Sequence, residues 1–185
     1  LVHNDRVIGG ITPESGRRAA ELYRSFVKGS IHLTNCINAE MTKLMENTYR
    51  DVNIALANEL VKISEVLPIN PLEVIELANH HPRVNILAPG PGVGGHCIAV
   101  DPYFIVQNAK DQADLIQTAR SINHSMPLFV VKQVLRLLPE DRTPVVSVFG
   151  ITYKANVRDT RESPALEIIS HLTGLGITVK IHDPW

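Results

Sequence analysis

Asn38-Ala-Glu-Met-Thr-Lys-Leu-Met-Glu-Asn-Thr-Tyr-Arg-Asp-Val-Asn-Ile-Ala-Leu-Ala-Asn-Glu-Leu-Val-Lys-Ile-Ser-Glu-Val-Leu67 contains neither glycine nor proline. Its apolar residues recur at helical spacing, which predicts one unbroken helix ending ahead of Pro68. At about 100° per residue, Lys43, Asn47 and Arg50 fall within about 60° of one another and form a single polar stripe. Met41, Leu44, Met45, Thr48, Val52, Ala55 and Ile63 take the opposite side, while the stripe's own line continues as Ile54, Ala57 and Val61. A solvated face does not normally turn apolar one turn later. The stripe is therefore expected to line a cavity, where a cation and an amide polarise a developing oxyanion; a plain solvated face is the competing reading.

Outward from this helix the elements change character. Upstream, Arg6-Val-Ile-Gly-Gly10 reads as a strand entering a glycine turn, and Thr12-Pro13-Glu14 as a helix start with Ala19, Leu22, Tyr23 and Phe26 on its apolar side. Ser30 to Thr34 is β-like. Downstream, Pro71 to Ala78 makes a short helix, and His81 to Pro102, dense in proline and glycine, makes a shaped loop. The helical period returns from Asp111 to Leu138, bent at Pro127; at about 1.5 Å per residue this pattern spans roughly 40 Å, enough to join two domains. Val145-Val-Ser-Val-Phe-Gly150, a capped helix from Ser163-Pro164 to Leu172 and the strand Ile177 to His182 form one βαβ unit of a parallel sheet, with a domain boundary expected near 139–143. The fold class expected is a mostly α-helical middle domain with flanking α/β, Rossmann-like pieces and a long interdomain helix. The short lead before Arg6 and the stop just after Asp183-Pro184 read as the ends of a piece cut from a longer protein.

Bulk composition narrows the function. The 185 residues are 44% hydrophobic and carry 18 basic against 19 acidic side chains, a net charge of −1, which fits a globular protein and argues against a polyanion-binding role such as nucleic-acid binding. No apolar run approaches the roughly 18 residues of a membrane span, and Leu1 to Arg6 is no signal segment, so no membrane association is expected and the cytoplasm is the default compartment. Two cysteines and eight histidines show no H-x-x-x-H or C-x-x-C spacing, so no metal is expected.

Pro89-Gly-Pro-Gly-Val-Gly-Gly-His-Cys-Ile-Ala-Val-Asp-Pro102 is the second constellation. Its glycines permit close backbone approach to a ligand and supply amide donors, with Cys97 just after them, His96 beside it and Asp101 four residues on. Such a loop suits a nucleophilic thiol; a buried structural cysteine fits the spacing equally. Cys36, at a strand–helix junction, is assigned to packing. The third constellation is Gly150-Ile-Thr-Tyr-Lys-Ala-Asn-Val-Arg-Asp-Thr-Arg-Glu-Ser-Pro164. Lys154, Arg158 and Arg161 ahead of a helix N-terminus suit a phosphate or diphosphate, or form a basic surface loop. No G-x-G-x-x-G occurs, so the chain alone does not argue for a dinucleotide site.

Together, the stretches 40–59, 90–102 and 149–164 resemble the nucleotide-sugar 6-dehydrogenases, the UDP-glucose and GDP-mannose dehydrogenase group, and the resemblance covers essentially the whole chain. His80-His-Pro-Arg-Val-Asn-Ile-Leu87 and the form Gly95-His-Cys-Ile-Ala-Val-Asp-Pro102 look most like the branch acting on UDP-N-acetyl-D-mannosamine; UDP-glucose or UDP-N-acetylglucosamine is the alternative substrate. The resemblance implies residues 1–35 as the end of an NAD-binding Rossmann domain, 36–140 as a helical dimerisation domain with the cysteine loop and connecting helix, and 141–185 as the first βαβ unit of a UDP-binding domain. It implies Cys97 as the nucleophile, Lys43 and Asn47 as oxyanion stabilisers and Asp101 as the acid of the hydrolytic step. It also implies Arg50, His81, Arg83, Gly94, Tyr153 and Lys154 at the nucleotide-sugar and Arg161 at the NAD diphosphate. The implied reaction is NAD-dependent oxidation of the sugar C6 alcohol to the acid by two hydride transfers, in a homodimer.

Two other readings compete. A β-hydroxyacid dehydrogenase of the 6-phosphogluconate type also pairs a Rossmann domain with a Lys- and Asn-bearing helical domain, but needs no thiol. A dimerisation module without turnover is the second.

Overall fold

The computed structural model describes residues 2–139 and 144–184. The expected boundary near 139–143 falls largely outside them. The chain divides into two compact units, Leu1–Glu46 and Asn47–Trp185.

In the first unit, β1 (Arg6–Gly10) and β2 (Ile31–Asn35) pair in parallel with Arg6 opposite Ile31 and Gly10 opposite Asn35, joined by α1 (Pro13–Arg24). Helix α1 starts as its sequence requires: Thr12 accepts the Ser15 N–H and Ser15 returns a bond to Thr12, closing a capping box ahead of Pro13. Ala20 is fully buried beneath it, with Ile8 and Val27 completing the small core.

Helix α2 (Cys36–Ile63) opens two residues earlier than the pattern from Asn38 suggests. The cap is Asn35, whose Oδ1 accepts the Asn38 N–H at 2.8 Å. Cys36 is exposed rather than packed, because the helix starts on it.

The second unit holds the rest of α2, then α3 (Pro71–Ala78), α4 (Asp101–Asn108), a 3₁₀ turn at Lys110–Gln112, α5 (Asp114–His124), α6 (Met126–Leu137), β3 (Val145–Phe149), α7 (Pro164–Gly174) and β4 (Thr178–His182). Asn70 caps α3 by accepting from Leu72 and Glu73. The helical span from 111 to 138 is divided between α5 and α6, because Pro127 has no N–H to return to the carbonyl one turn back. Strands β3 and β4 are parallel, Val145 opposite Thr178 and Phe149 opposite His182. Their core is Val131, Ile168, Leu172 and Ile177, flanked by Val130, Val134, Leu138, Val146 and Val179. One side of α6 is thus covered by α7 and the strands.

Candidate active site

Helix α2 buries a polar row. Asn47, Asp51 and Asn58 are 4%, 0% and 0% exposed, and at about 100° per residue they fall within about 40° of one another. Asp51 Oδ1 accepts from Arg120 Nη1 at 2.6 Å and from Asn123 Nδ2 at 2.9 Å. Asn123 Oδ1 accepts from Asn58 Nδ2 at 2.9 Å, and Asn58 Oδ1 accepts the Gly90 N–H at 2.8 Å. The chain of bonds therefore runs from α5 through α2 to the head of the glycine loop. Arg120 also lies over the Tyr103 ring, 5.3 Å from its centroid. Burial pushes the Asp51 carboxyl up, and Arg120 and Asn123 pull it back.

Two further asparagines hold the polypeptide between α3 and that loop. Asn79 pairs with the backbone of Ile86, donating at 2.9 Å and accepting at 2.7 Å. Asn53 donates to the Asn85 carbonyl and accepts from Leu87, both at 2.8 Å. A primary amide offers a donor and an acceptor side by side, as a peptide does, so it stands in for a neighbouring strand.

Gly92, Gly94 and Gly95 of the loop sit close against other parts of the chain. A Cβ on Gly94 would lie 2.4 Å from the Glu162 carbonyl and 2.9 Å from Pro164 and Tyr153, and one on Gly95 would lie 2.8 Å from the Tyr153 ring. Gly95 has φ +85°, a conformation glycine adopts without strain, and it donates its N–H to the Arg161 carbonyl at 3.1 Å. The expected approach to a ligand is thus, at these two residues, an approach to the 150–164 loop. Gly92, Val93, Tyr103, Arg120, Asn123 and Pro164 line part of a cavity of about 370 Å³ beside the loop; Cys97 is not in its wall.

Cys97 is exposed at the end of the loop, which sets aside the buried structural cysteine. Its carbonyl accepts from Val100 at 3.0 Å and from Asp101 at 2.8 Å, forming the turn that starts α4. This helix lies where the sequence pattern shows only the end of a loop. Its Sγ lies 3.1 Å from His96 Nδ1. Asp101, at the first turn of α4, accepts from Asn47 Nδ2 at 2.6 Å. Asn47 and Asp101, expected catalytic residues 54 residues apart, are thus joined side chain to side chain.

The other expected residues are placed as follows. Lys43, in the first unit, is exposed and donates to Glu46 at 3.3 Å. Arg50, His81, Arg83 and Lys154 are exposed, and no bond among the described residues ties them to the cysteine loop. Of the stripe on α2, only Asn47 is buried. Tyr153 bonds through its N–H to the Asp159 carbonyl at 3.1 Å and turns its ring to Gly95. Arg161 clasps Asp159 with Nε at 3.0 Å and Nη2 at 2.6 Å, and this hydrogen bonding holds the Asp159 carboxyl down to about 2 and raises the guanidinium. Nη1 of this exposed side chain lies outside the clasp, and a guanidinium N–H is a donor of the kind a diphosphate oxygen accepts. Thr48 Oγ1, Asp51 Oδ2, Arg120 Nε and Ser163 Oγ are buried without a partner.

Residues 37–125 match the central domain of the UDP-glucose/GDP-mannose dehydrogenase family and residues 147–185 its UDP binding domain. The chain belongs to this family. It is 59% identical over 185 residues to the UDP-N-acetyl-D-mannosamine dehydrogenase of Methanocaldococcus jannaschii, covering 100% of this chain and 43% of that protein. It is 53% identical over 185 residues to an NDP-N-acetyl-D-galactosaminuronic acid dehydrogenase of Ralstonia nicotianae, covering 100% and 44%. The solved UDP-D-ManNAc dehydrogenase from Pyrococcus horikoshii superposes with a TM-score of 0.92 at 46% identity over 100% of this chain and 45% of that one. The chain thus spans under half the length of the relatives it matches. Among the described residues no helix is long and apolar enough to cross a membrane.

Proposed function

We propose that this chain carries the thiol half of an NAD-dependent nucleotide-sugar 6-dehydrogenase, converting the C6 alcohol of a UDP-sugar to a carboxylate by two successive oxidations. The observation that carries this reading is the 2.6 Å bond from Asn47 to Asp101, which joins the polar stripe of α2 to the turn beginning at Cys97. The Asn47 amide has two N–H groups, and one is spent on Asp101. The other is left for a substrate oxygen.

Cys97 adds to the aldehyde formed by the first oxidation, giving a thiohemiacetal; the second leaves a thioester, which water cleaves. Lys43 and the free Asn47 N–H stabilise the oxyanion at each tetrahedral stage. Asp101, its carboxylate oriented by Asn47, takes a proton from the hydrolytic water. NAD, when bound, supplies the hydride acceptor, and Arg161 is the residue of this chain that meets its diphosphate. Arg50, His81, Arg83, Gly94, Tyr153 and Lys154 contact the nucleotide-sugar in this reading. The rest of the cofactor and UDP sites comes from outside residues 1–185, since residues 1–35 are read as the end of the NAD domain and 141–185 as the start of the UDP domain. A cytoplasmic placement is part of this reading.

UDP-N-acetyl-D-mannosamine is the substrate of choice because the relatives at 59% and 54% identity are named for it. A relative at 53% is named for a galactosaminuronic acid. The experiment is a panel of UDP-sugars, including both N-acetylated epimers and UDP-glucose, offered to the full-length protein with NAD. The reading expects two equivalents of reduced cofactor per sugar and an acidic product with UDP-N-acetyl-D-mannosamine, and a homodimer joined by its helical region.

A further inference from the structure

Cys97 is not alone at the end of its loop. The 3.1 Å separation between its Sγ and His96 Nδ1 is a hydrogen-bonding distance for sulfur. The backbone on both sides is fixed. Gly95 is bonded to the Arg161 carbonyl and closed over by the Tyr153 ring, and the Cys97 carbonyl is held by the N–H groups of Val100 and Asp101. Of the charged groups of the facing loop, Asp159 and Arg161 are clasped to each other. Both act electrostatically on the pair, Asp159 on His96 and Arg161 on Cys97, but among the described residues neither makes a hydrogen bond to the thiol or the imidazole, and the hydrogen-bonding partner of the sulfur is the ring nitrogen.

We propose that His96 is a catalytic residue, the acceptor of the Cys97 thiol proton. The inference rests on the two-step oxidation proposed above and adds a group to it. With its hydrogen on Nε2, the imidazole presents the Nδ1 lone pair to the thiol. As the sugar aldehyde is attacked, the S–H bond breaks and its proton passes to Nδ1. A sulfur lone pair forms the C–S bond, and the carbonyl π pair moves onto oxygen, where Lys43 and Asn47 act. No electrons are gained or lost in this step. When water releases the acid, the C–S pair returns to sulfur and the proton goes back from Nδ1. Lys43 and Asn47 serve the oxygen, and Asp101 serves the water; the base at the sulfur is His96.

Cys36, exposed at the start of α2, provides an internal standard. Alkylation of both cysteines by iodoacetamide at pH 7, followed by peptide mass mapping of the full-length protein, reads the ratio of their rates. The expected ratio favours Cys97 by about tenfold, and His96→Gln, which has no basic nitrogen, brings the two level. In turnover, His96→Ala loses about 10²-fold in the rate of acid formation, and added imidazole restores part of it, whereas imidazole does nothing for Cys97→Ser. An unchanged labelling ratio in His96→Gln, or turnover in His96→Ala equal to the wild type, overturns the role of His96 while leaving the oxidation reading intact. A labelling ratio that depends on His96 in a protein that oxidises no UDP-sugar supports the thiol–imidazole pair and refutes that reading instead.

Discussion

The ring of Tyr153 occupies the space where Gly95 would carry a side chain, 2.8 Å from the position of its Cβ. The loop bearing Cys97 is therefore shaped by the segment between β3 and α7, and Gly95 also has φ +85°. Gly95→Ala should destabilise the protein by about 1–3 kcal/mol and lower acid formation more than sugar binding. Tyr153→Ala in the same background should relieve the contact but not the backbone strain, returning part of the stability in a denaturant titration. Equal stability of Gly95→Ala and wild type would mean that the loop does not need this approach.

The buried pair of Asp51 and Arg120, 0% and 7% exposed, makes a separate prediction. Arg120→Met leaves a buried carboxylate without its cation and should cost about 3–5 kcal/mol of stability near neutral pH. Asp51 is already raised by burial. The favourable protonated form of such a group is fully present below its unfolded value of 3.8 and is lost as pH rises through its folded value. Removing Arg120 raises that folded value further, so the deficit of Arg120→Met should shrink on acidification. A deficit that stayed constant with pH would place its origin in packing.

Asp159 has the opposite sign. Held down to about 2 by hydrogen bonds from Arg161, it contributes stability that is present above the unfolded value of 3.8 and lost as pH falls through about 2. A carbon-detected NMR titration should find its midpoint there, and Arg161→Met should move it back toward 3.8. An Asp159 midpoint insensitive to Arg161→Met would break the clasp.

Helix α2 exposes Tyr49, Leu56 and Ile63 at 58%, 55% and 42%, with α5 adding Leu115 at 69%. Sedimentation equilibrium should find this chain as a dimer at micromolar concentration, and Leu56→Glu should shift it toward the 20.4 kDa species. A monomer throughout would show that these residues have no partner copy.

Much of the fold is legible in residue order. Thr12-Pro13, Asn70-Pro71 and Ser163-Pro164 each mark a helix start, and the β-branched run at 145–149 marks a strand. The break at Ser125 follows from Pro127, whose effect was expected as a bend. Helix α4 was hidden because its Asp101-Pro102 start lies at the end of a glycine-rich run and it lasts only two turns. The helical stripe points to Asn47 and the resemblance to Asp101, each in a separate expected role, and the contact between them depends on tertiary folding. Asn47, Asp51 and Asn58 share a helical face with the charged Lys43 and Arg50, and residue type alone does not distinguish the buried members of that face from the exposed ones. The partners of Asp51 and Asn58, Arg120 and Asn123, lie some 65 to 72 residues away, and no local pattern reports such a bond. The same holds for Tyr153 against Gly95: glycine spacing says that something comes close, without saying what.

Removal of the two groups proposed to act at the substrate oxygen sorts catalysis from binding. Lys43→Ala and Asn47→Ala should each lower kcat by about 10²- to 10³-fold with a smaller change in KM. A change confined to KM in either variant would make that residue a binding group.

The most direct test is Cys97→Ser in the full-length protein, assayed with NAD and UDP-N-acetyl-D-mannosamine for reduced cofactor and for acid in the same reaction. A serine hydroxyl is a far weaker nucleophile than the thiol it replaces, so the account predicts that acid formation stops while UDP binding persists. Two equivalents of reduced cofactor per sugar, released by Cys97→Ser at a rate near that of the wild type, would contradict it.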